Sequence, residues 1–126
     1  NMRKLLALLG ATALLLTSCS SSSVGKVDAQ TWISQAQSSQ AQIIDVRTAD
    51  EFNSGHIAGA INIDVEGGSF TDQISALDKD KTYALYCHSG RRSAIAASDM
   101  SKAGFKNIID LNGGIGELLQ AGAQLG

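Results

Sequence analysis

The chain has 126 residues with no proline, two cysteines, two histidines and aromatic side chains at only 5%. Each shortage excludes something. Without proline, the breaks between elements fall to glycine, of which there are 13. Two cysteines cannot build the disulfide framework that staples many small secreted domains. His56 and His88 are the only histidines, and nothing stands at paired-ligand spacing from them, so neither a metal nor another cofactor is expected. No stretch reaches the roughly 20 apolar residues that a membrane-spanning helix needs. Ten basic residues against 12 acidic ones give a formal charge of −2, and nothing points to nucleic acid as a partner.

The longest apolar run, "LLALLGATALLL" from Leu5 to Leu16, follows a small cationic segment, Met2-Arg3-Lys4. Asn1 stands ahead of that start and is set aside as an addition. Cationic head and short apolar run together have the layout of an export signal. The run ends Leu16-Thr17-Ser18-Cys19, which resembles the bacterial lipoprotein signal. That resemblance implies that residues 1–18 are a signal peptide removed before Cys19, which then carries lipid on its sulfur and new amino terminus. Two or more acyl chains anchor stably where one is marginal. Ser20, by resemblance to Gram-negative sorting rules, points to the outer membrane, with the domain facing the periplasm. Residues 19–23 then read as a serine-rich tether, and residues 24–126 as one domain with a modest core. Once lipid claims Cys19, Cys87 is alone in an oxidising compartment, where an unpaired thiol is either protected by burial or required by function.

From Val24 onward, short apolar runs alternate with helix-like segments. "KVD" is a brief strand, and Asp28 is placed to cap a helix running to about Ser38. "AQIIDV" reads as a buried strand. Thr48 followed three residues later by Glu51 has capping-box spacing for a short helix that Gly55 ends. "AINI" is a third strand. Phe70, Ile74 and Leu77 share one face of a short helix, and "KTYALY" suits a central strand covered on both sides. "SAIAASDMSKAGF" is an Ala-rich helix stopping at Gly104, "NIIDL" a fifth strand and "IGELLQAG" a last helix. The sum is an α/β fold: a five-stranded, mainly parallel sheet flanked by helices on both faces. Trp32, at helical spacing with Ile33 and Ala36, is expected in the core.

The chemistry is concentrated in "YCHSGRRSA", residues 86 to 94. Cys87 ends a strand, where the ligand clefts of open α/β sheets form. His88-Ser89-Gly90-Arg91-Arg92 is short enough to curl around the sulfur, with Gly90 free to take positive φ. The N–H groups of such a curl, with those opening the next helix, make an anion cradle, and the two guanidinium groups add charge. Both favour the thiolate, the nucleophilic form of cysteine, and both would draw an anionic substrate.

These residues resemble the single-domain rhodaneses, a family of sulfurtransferases. "IIDVRTADEFNSGHIAGAIN" is similar to that family's first signature, "CHSGRRSA" to its active loop and "GFKNIIDLNGGI" to its closing strand and turn. The resemblance covers nearly all of residues 24 to 122. It implies a rhodanese-like fold in which Cys87 is the catalytic nucleophile, taking the outer sulfur of thiosulfate or a similar anionic donor as a persulfide. A thiol or cyanide then accepts that sulfur. It further implies that His88, Ser89, Gly90, Arg91, Arg92 and Ser93 surround the substrate, with the two arginines positioning the sulfonate. Asp45, Arg47 and His56 are supporting residues: Asp45 near the cleft, orienting loop groups, and His56 as a hydrogen-bonded turn residue. Arg47 and Glu51, four apart, have the spacing of a helix-face ion pair. Gly113 and Gly114 are expected to let backbones pass closely.

Two positions depart from the family pattern: Ala58 stands where proline is usual, and Leu118 stands near the place of a common aromatic. Neither removes a reacting group. Two other readings remain open: a non-catalytic sulfur-sensing or binding module on the same fold, and a cysteine-dependent phosphatase or redox thiol. The phosphatases that share the fold carry a loop one residue longer than the six from Cys87 to Arg92. A redox role lacks a second cysteine to resolve a disulfide. Nothing in the sequence demands more than a monomer.

Overall fold

The computed structural model describes residues 23–126. The signal peptide, Cys19 and all but the last residue of the tether lie outside the described residues. Five strands alternate with five helices: β1 (Ser23–Val27), α1 (Ala29–Ser38), β2 (Gln42–Asp45), α2 (Ala49–Ser54), β3 (Ile61–Asn62), α3 (Phe70–Ile74), β4 (Thr82–Tyr86), α4 (Arg91–Lys102), β5 (Asn107–Leu111) and α5 (Ile115–Gln120). The first strand starts one residue inside the expected tether. All four strand pairings are parallel, in the order β1-β5-β4-β2-β3.

Local sequence accounts for most element ends. Asp28 accepts from the Thr31 N–H at 2.9 Å, satisfying one of the donors that opens α1. Thr48 and Glu51 form the reciprocal capping box of α2. The central strand β4 is buried on both faces because its side chains divide alternately between two cores. Tyr83, Leu85 and Cys87 pack with Phe70, Ile74, Ala96, Ala97 and Met100 of α3 and α4. Ala84 and Tyr86 pack with Trp32, Ala36 and Leu118 of α1 and α5. Trp32 is in the core as expected, its ring N–H donating to the Leu85 carbonyl at 3.0 Å.

The route of the chain creates the site. Neighbouring strands β4 and β5 send their following helices to opposite faces, α4 to one and α5 to the other. Where adjacent connections part in this way, a crevice opens at the carboxyl ends of the strands. Cys87 lies there.

The missing proline has a structural counterpart. Residues 56–58 run antiparallel to the last residues, with a bridge between Ile57 and Leu125. The Ala58 N–H donates to the Gln124 carbonyl at 2.8 Å, and the Gly126 N–H to the His56 carbonyl at 2.9 Å. Proline at 58 has no N–H to give. Ala58→Pro, although it restores the usual family residue, is expected to cost about 1 kcal/mol. Hydrogen exchange should show the Gly126 amide opening faster, with the amides of β4 unaffected.

Candidate active site

Cys87 directly follows β4, and its carbonyl accepts from the Ile115 N–H at 3.0 Å, tying the strand end to the start of α5. Its sulfur takes two backbone donors: the Gly90 N–H at 3.1 Å and the Ser93 N–H at 3.3 Å. Gly90 has φ of 115°, which an L side chain rarely adopts, and this turns its amide inward.

Helix α4 begins at Arg91, two residues earlier than its alanine pattern suggests, and it has no side-chain cap of its own. The cysteine sulfur fills that place. Ser93 is the third residue of the helix, so its N–H is one of the orphan donors that a capping Ser or Asp would normally satisfy. Negative charge on this sulfur, or on a second sulfur bound to it, meets inward-facing amides and the positive end of a helix.

A second wall presses on the loop. A Cβ added at Gly114 would overlap the His88 carbonyl and lie 2.9 Å from the Ser89 Cα, and one at Gly90 would meet the Gly113 carbonyl at 3.2 Å. The expected close passage at Gly113 and Gly114 is therefore present, and it is the Cys loop that passes.

The result is a closed site. Cys87 has 0% exposure, although His88 and Ser89 over it are exposed. The sulfur thus lies buried at the strand end where a cleft is expected. An apolar cavity of about 400 Å³ is present, but it lies between α1 and the C-terminal residues, lined by Trp32, Ile57 and Ala123 among others.

Both arginines carry partners. The Arg92 guanidinium is held by two parallel bonds to Glu51, 2.7 and 2.9 Å long, with side-chain exposures of 14% and 33%. Arg91 makes a looser contact of 3.3 Å to Glu66 in the open, with exposures of 69% and 49%. Bonding to Arg92, more than to Thr48, lowers the Glu51 carboxyl from 4.5 to about 2, so it is ionised at neutral pH. The same pairing raises Arg92, with the nearby Cys87 charge adding to it.

In the sequence Glu51 reads only as a helix cap and as a spacing partner of Arg47. Its partner is 41 residues away, and no local spacing reveals it. The expected Arg47–Glu51 pair does not form. Arg47 precedes α2, outside the helical spacing that would align the two, and turns inward instead.

Arg47 and Asp45 form a buried pair at the end of β2, on the face of the sheet opposite Cys87. The Arg47 Nη2 donates to Asp45 at 2.7 Å and to the Gly55 carbonyl at 2.7 Å. Tyr86 donates its hydroxyl to Asp45 at 2.6 Å and accepts from the Ile57 N–H at 2.9 Å. Burial, then the bond to Asp45, pushes the Tyr86 phenol well above its ordinary range, so it remains a donor. Asp45 thus braces the β2–α2 connection. It does not orient the loop groups, because its side chain shares the face of Tyr86 while Cys87 points to the opposite face.

His56 stacks on Phe52 at 3.8 Å and pairs its Nδ1 with the Phe52 carbonyl at 3.0 Å, a turn residue as expected. Asp45→Ala leaves the Arg47 charge buried without its carboxylate and is expected to cost about 3 kcal/mol or more in urea unfolding.

A sheet switch point with a cysteine wrapped by amides defines a class, and the comparison with known families agrees: residues 29–121 match the rhodanese-like domain. The chain belongs to that family. It is 31% identical over 91 residues to the thiosulfate sulfurtransferase GlpE of Shewanella oneidensis, covering 72% of this chain and 88% of that protein. It is 34% identical over 82 residues to GlpE of Pseudomonas aeruginosa, covering 65% of this chain and 73% of that one. A putative sulfur carrier protein of Bacillus subtilis, YrkF, is 32% identical over 91 residues, 71% of this chain, which spans only 48% of that protein. Among solved structures, a rhodanese-related protein from Thermoplasma volcanium superposes with a TM-score of 0.70 at 30% identity, covering 81% of this chain and 97% of that one.

Proposed function

We propose that this chain transfers a sulfane sulfur from thiosulfate, or a similar anionic donor, to a thiol or cyanide through a persulfide on Cys87. The observation that carries the reading is the pair of N–H groups, from Gly90 and Ser93, directed at one sulfur. In the first step the Cys87 thiolate attacks the outer sulfur of thiosulfate. A sulfur–sulfur bond forms at Cys87, the donor's own sulfur–sulfur bond breaks, and sulfite leaves with its electron pair. The terminal sulfur of the persulfide is then anionic, and the curl of residues 88–93 supplies fixed donors for that charge. In the second step the acceptor attacks the terminal sulfur. Cyanide leaves as thiocyanate, or a thiol as its persulfide, and the Cys87 thiolate is regenerated.

His88 and Ser89 line the loop without a proton-transfer role. Arg91 and Arg92 stand at its rim for the sulfonate. Steady-state turnover of thiosulfate with cyanide should release sulfite and thiocyanate in equal amounts. Hydrolysis of phosphate esters with no thiocyanate would contradict the reading.

The same reading places the protein on the periplasmic face of the bacterial envelope through lipid on Cys19. The support is the Leu16-Thr17-Ser18-Cys19 sequence behind a cationic head and a short apolar run. Cys19→Ala should move the protein from the detergent phase to the aqueous phase on partitioning. An unchanged distribution would remove the anchor.

A further inference from the structure

The sequence presents Arg91 and Arg92 as free cations flanking a thiol, but the folded site balances them. Arg91 and Glu66 are both open to water, so that pair is screened and contributes little to the field at the sulfur. Arg92 differs. It sits one residue before Ser93, whose amide touches the sulfur, and its charge interacts with that of Cys87. Its guanidinium is mostly buried and held in the two-bond geometry that fixes both distance and plane. Glu51 is itself fixed from behind by the Thr48 N–H and hydroxyl, each at 3.1 Å. Thr48, Glu51 and Arg92 therefore form one bonded chain, and it brings a carboxylate beside the loop that holds the sulfur.

We propose that Glu51 is a positioning residue that determines donor specificity: it fixes Arg92 at the rim and offsets its charge, so the site accepts sulfur donors of low charge, such as alkyl persulfides, at the expense of dianionic thiosulfate. The proposal rests on the sulfur-transfer reading for the identity of the donors. Its electrostatic core does not. A unit charge about 9 Å from a reacting atom, at an effective dielectric of about 40, is worth about a fivefold change in affinity for a monoanion and roughly twentyfold for a dianion.

Glu51→Gln isolates that charge, because glutamine also serves at this position of a capping box. The first readout is the rate of Cys87 alkylation by iodoacetate divided by that by iodoacetamide. The two reagents are nearly the same size, so any opening of the loop cancels in the ratio. Glu51→Gln should raise the ratio about fivefold. Arg92→Gln should lower it. Thr48→Ala, which loosens the cap but leaves the carboxylate, should leave it within about twofold.

An unchanged ratio in Glu51→Gln, with Arg92→Gln lowering it, would overturn the proposal. So would an equal rise in Thr48→Ala, since the effect would then be disorder. The second readout is turnover. Glu51→Gln should lower KM for thiosulfate about fivefold or more with kcat little changed, and lower KM for a monoanionic alkyl persulfide by less. A raised alkylation ratio in a protein that turns over no sulfur donor would keep the charge effect and remove the sulfur-transfer reading instead.

Discussion

Replacing Cys87 by serine is expected to lower thiosulfate turnover by about a thousandfold or more, to the background rate, while the folded protein survives. A hydroxyl cannot form the sulfur–sulfur bond on which transfer depends, yet its oxygen can still accept from the amides opening α4. Replacing it by alanine should be equally inactive but less stable. The Gly90 and Ser93 N–H groups then lose their acceptor in a site with no exposure, at about 1–3 kcal/mol for each donor left unpaired. Comparing urea unfolding of the two variants separates the chemical role of the sulfur from its role as the cap of α4. Equal stability of Cys87→Ser and Cys87→Ala would show that the amides do not depend on the sulfur.

The second large effect is expected at a residue with no side chain. Gly114→Ala places a methyl group on the His88 carbonyl, and backbone rather than a flexible side chain is in the way. Either the turn before α5 or the Cys loop must move. Both are tied to the same atom group, since the Ile115 N–H bonds the Cys87 carbonyl. The variant should lose about 3 kcal/mol or more. Any folded fraction should turn over far more slowly, because a shift of about 1 Å in the loop misaligns the donors around the sulfur. Gly116→Ala is the control. It lies on the same helix with open space around its Cβ, and should be neutral or slightly stabilising. Wild-type stability and turnover in Gly114→Ala would mean that the loop and the turn are not in contact in solution.

Local signals carried most of the architecture because most element ends are decided locally. Asp28 and Thr48 cap where their spacing indicates, and the even burial of β4 follows from its apolar run. Helix α4 starts two residues ahead of its alanine pattern because its cap is a sulfur from the preceding strand end, an acceptor that capping rules for Ser, Thr, Asp and Asn do not anticipate. The candidate site was legible as a cysteine in a cationic loop, but its charge balance was not. Glu51 and Glu66 come from other segments, so only the folded chain shows that the two arginines arrive already paired. The close passage of Gly114 past His88 is equally hidden in the sequence: the two residues are far apart in the chain and are brought together by adjacent strands with helices on opposite faces.

The most direct test is the intact mass of residues 23–126 after brief exposure to thiosulfate, followed by mapping of the modified peptide. A gain of one sulfur atom is expected, confined to the peptide bearing Cys87, removed by cyanide and absent from Cys87→Ser. A folded protein whose mass is unchanged by thiosulfate and by an alkyl persulfide alike would contradict it.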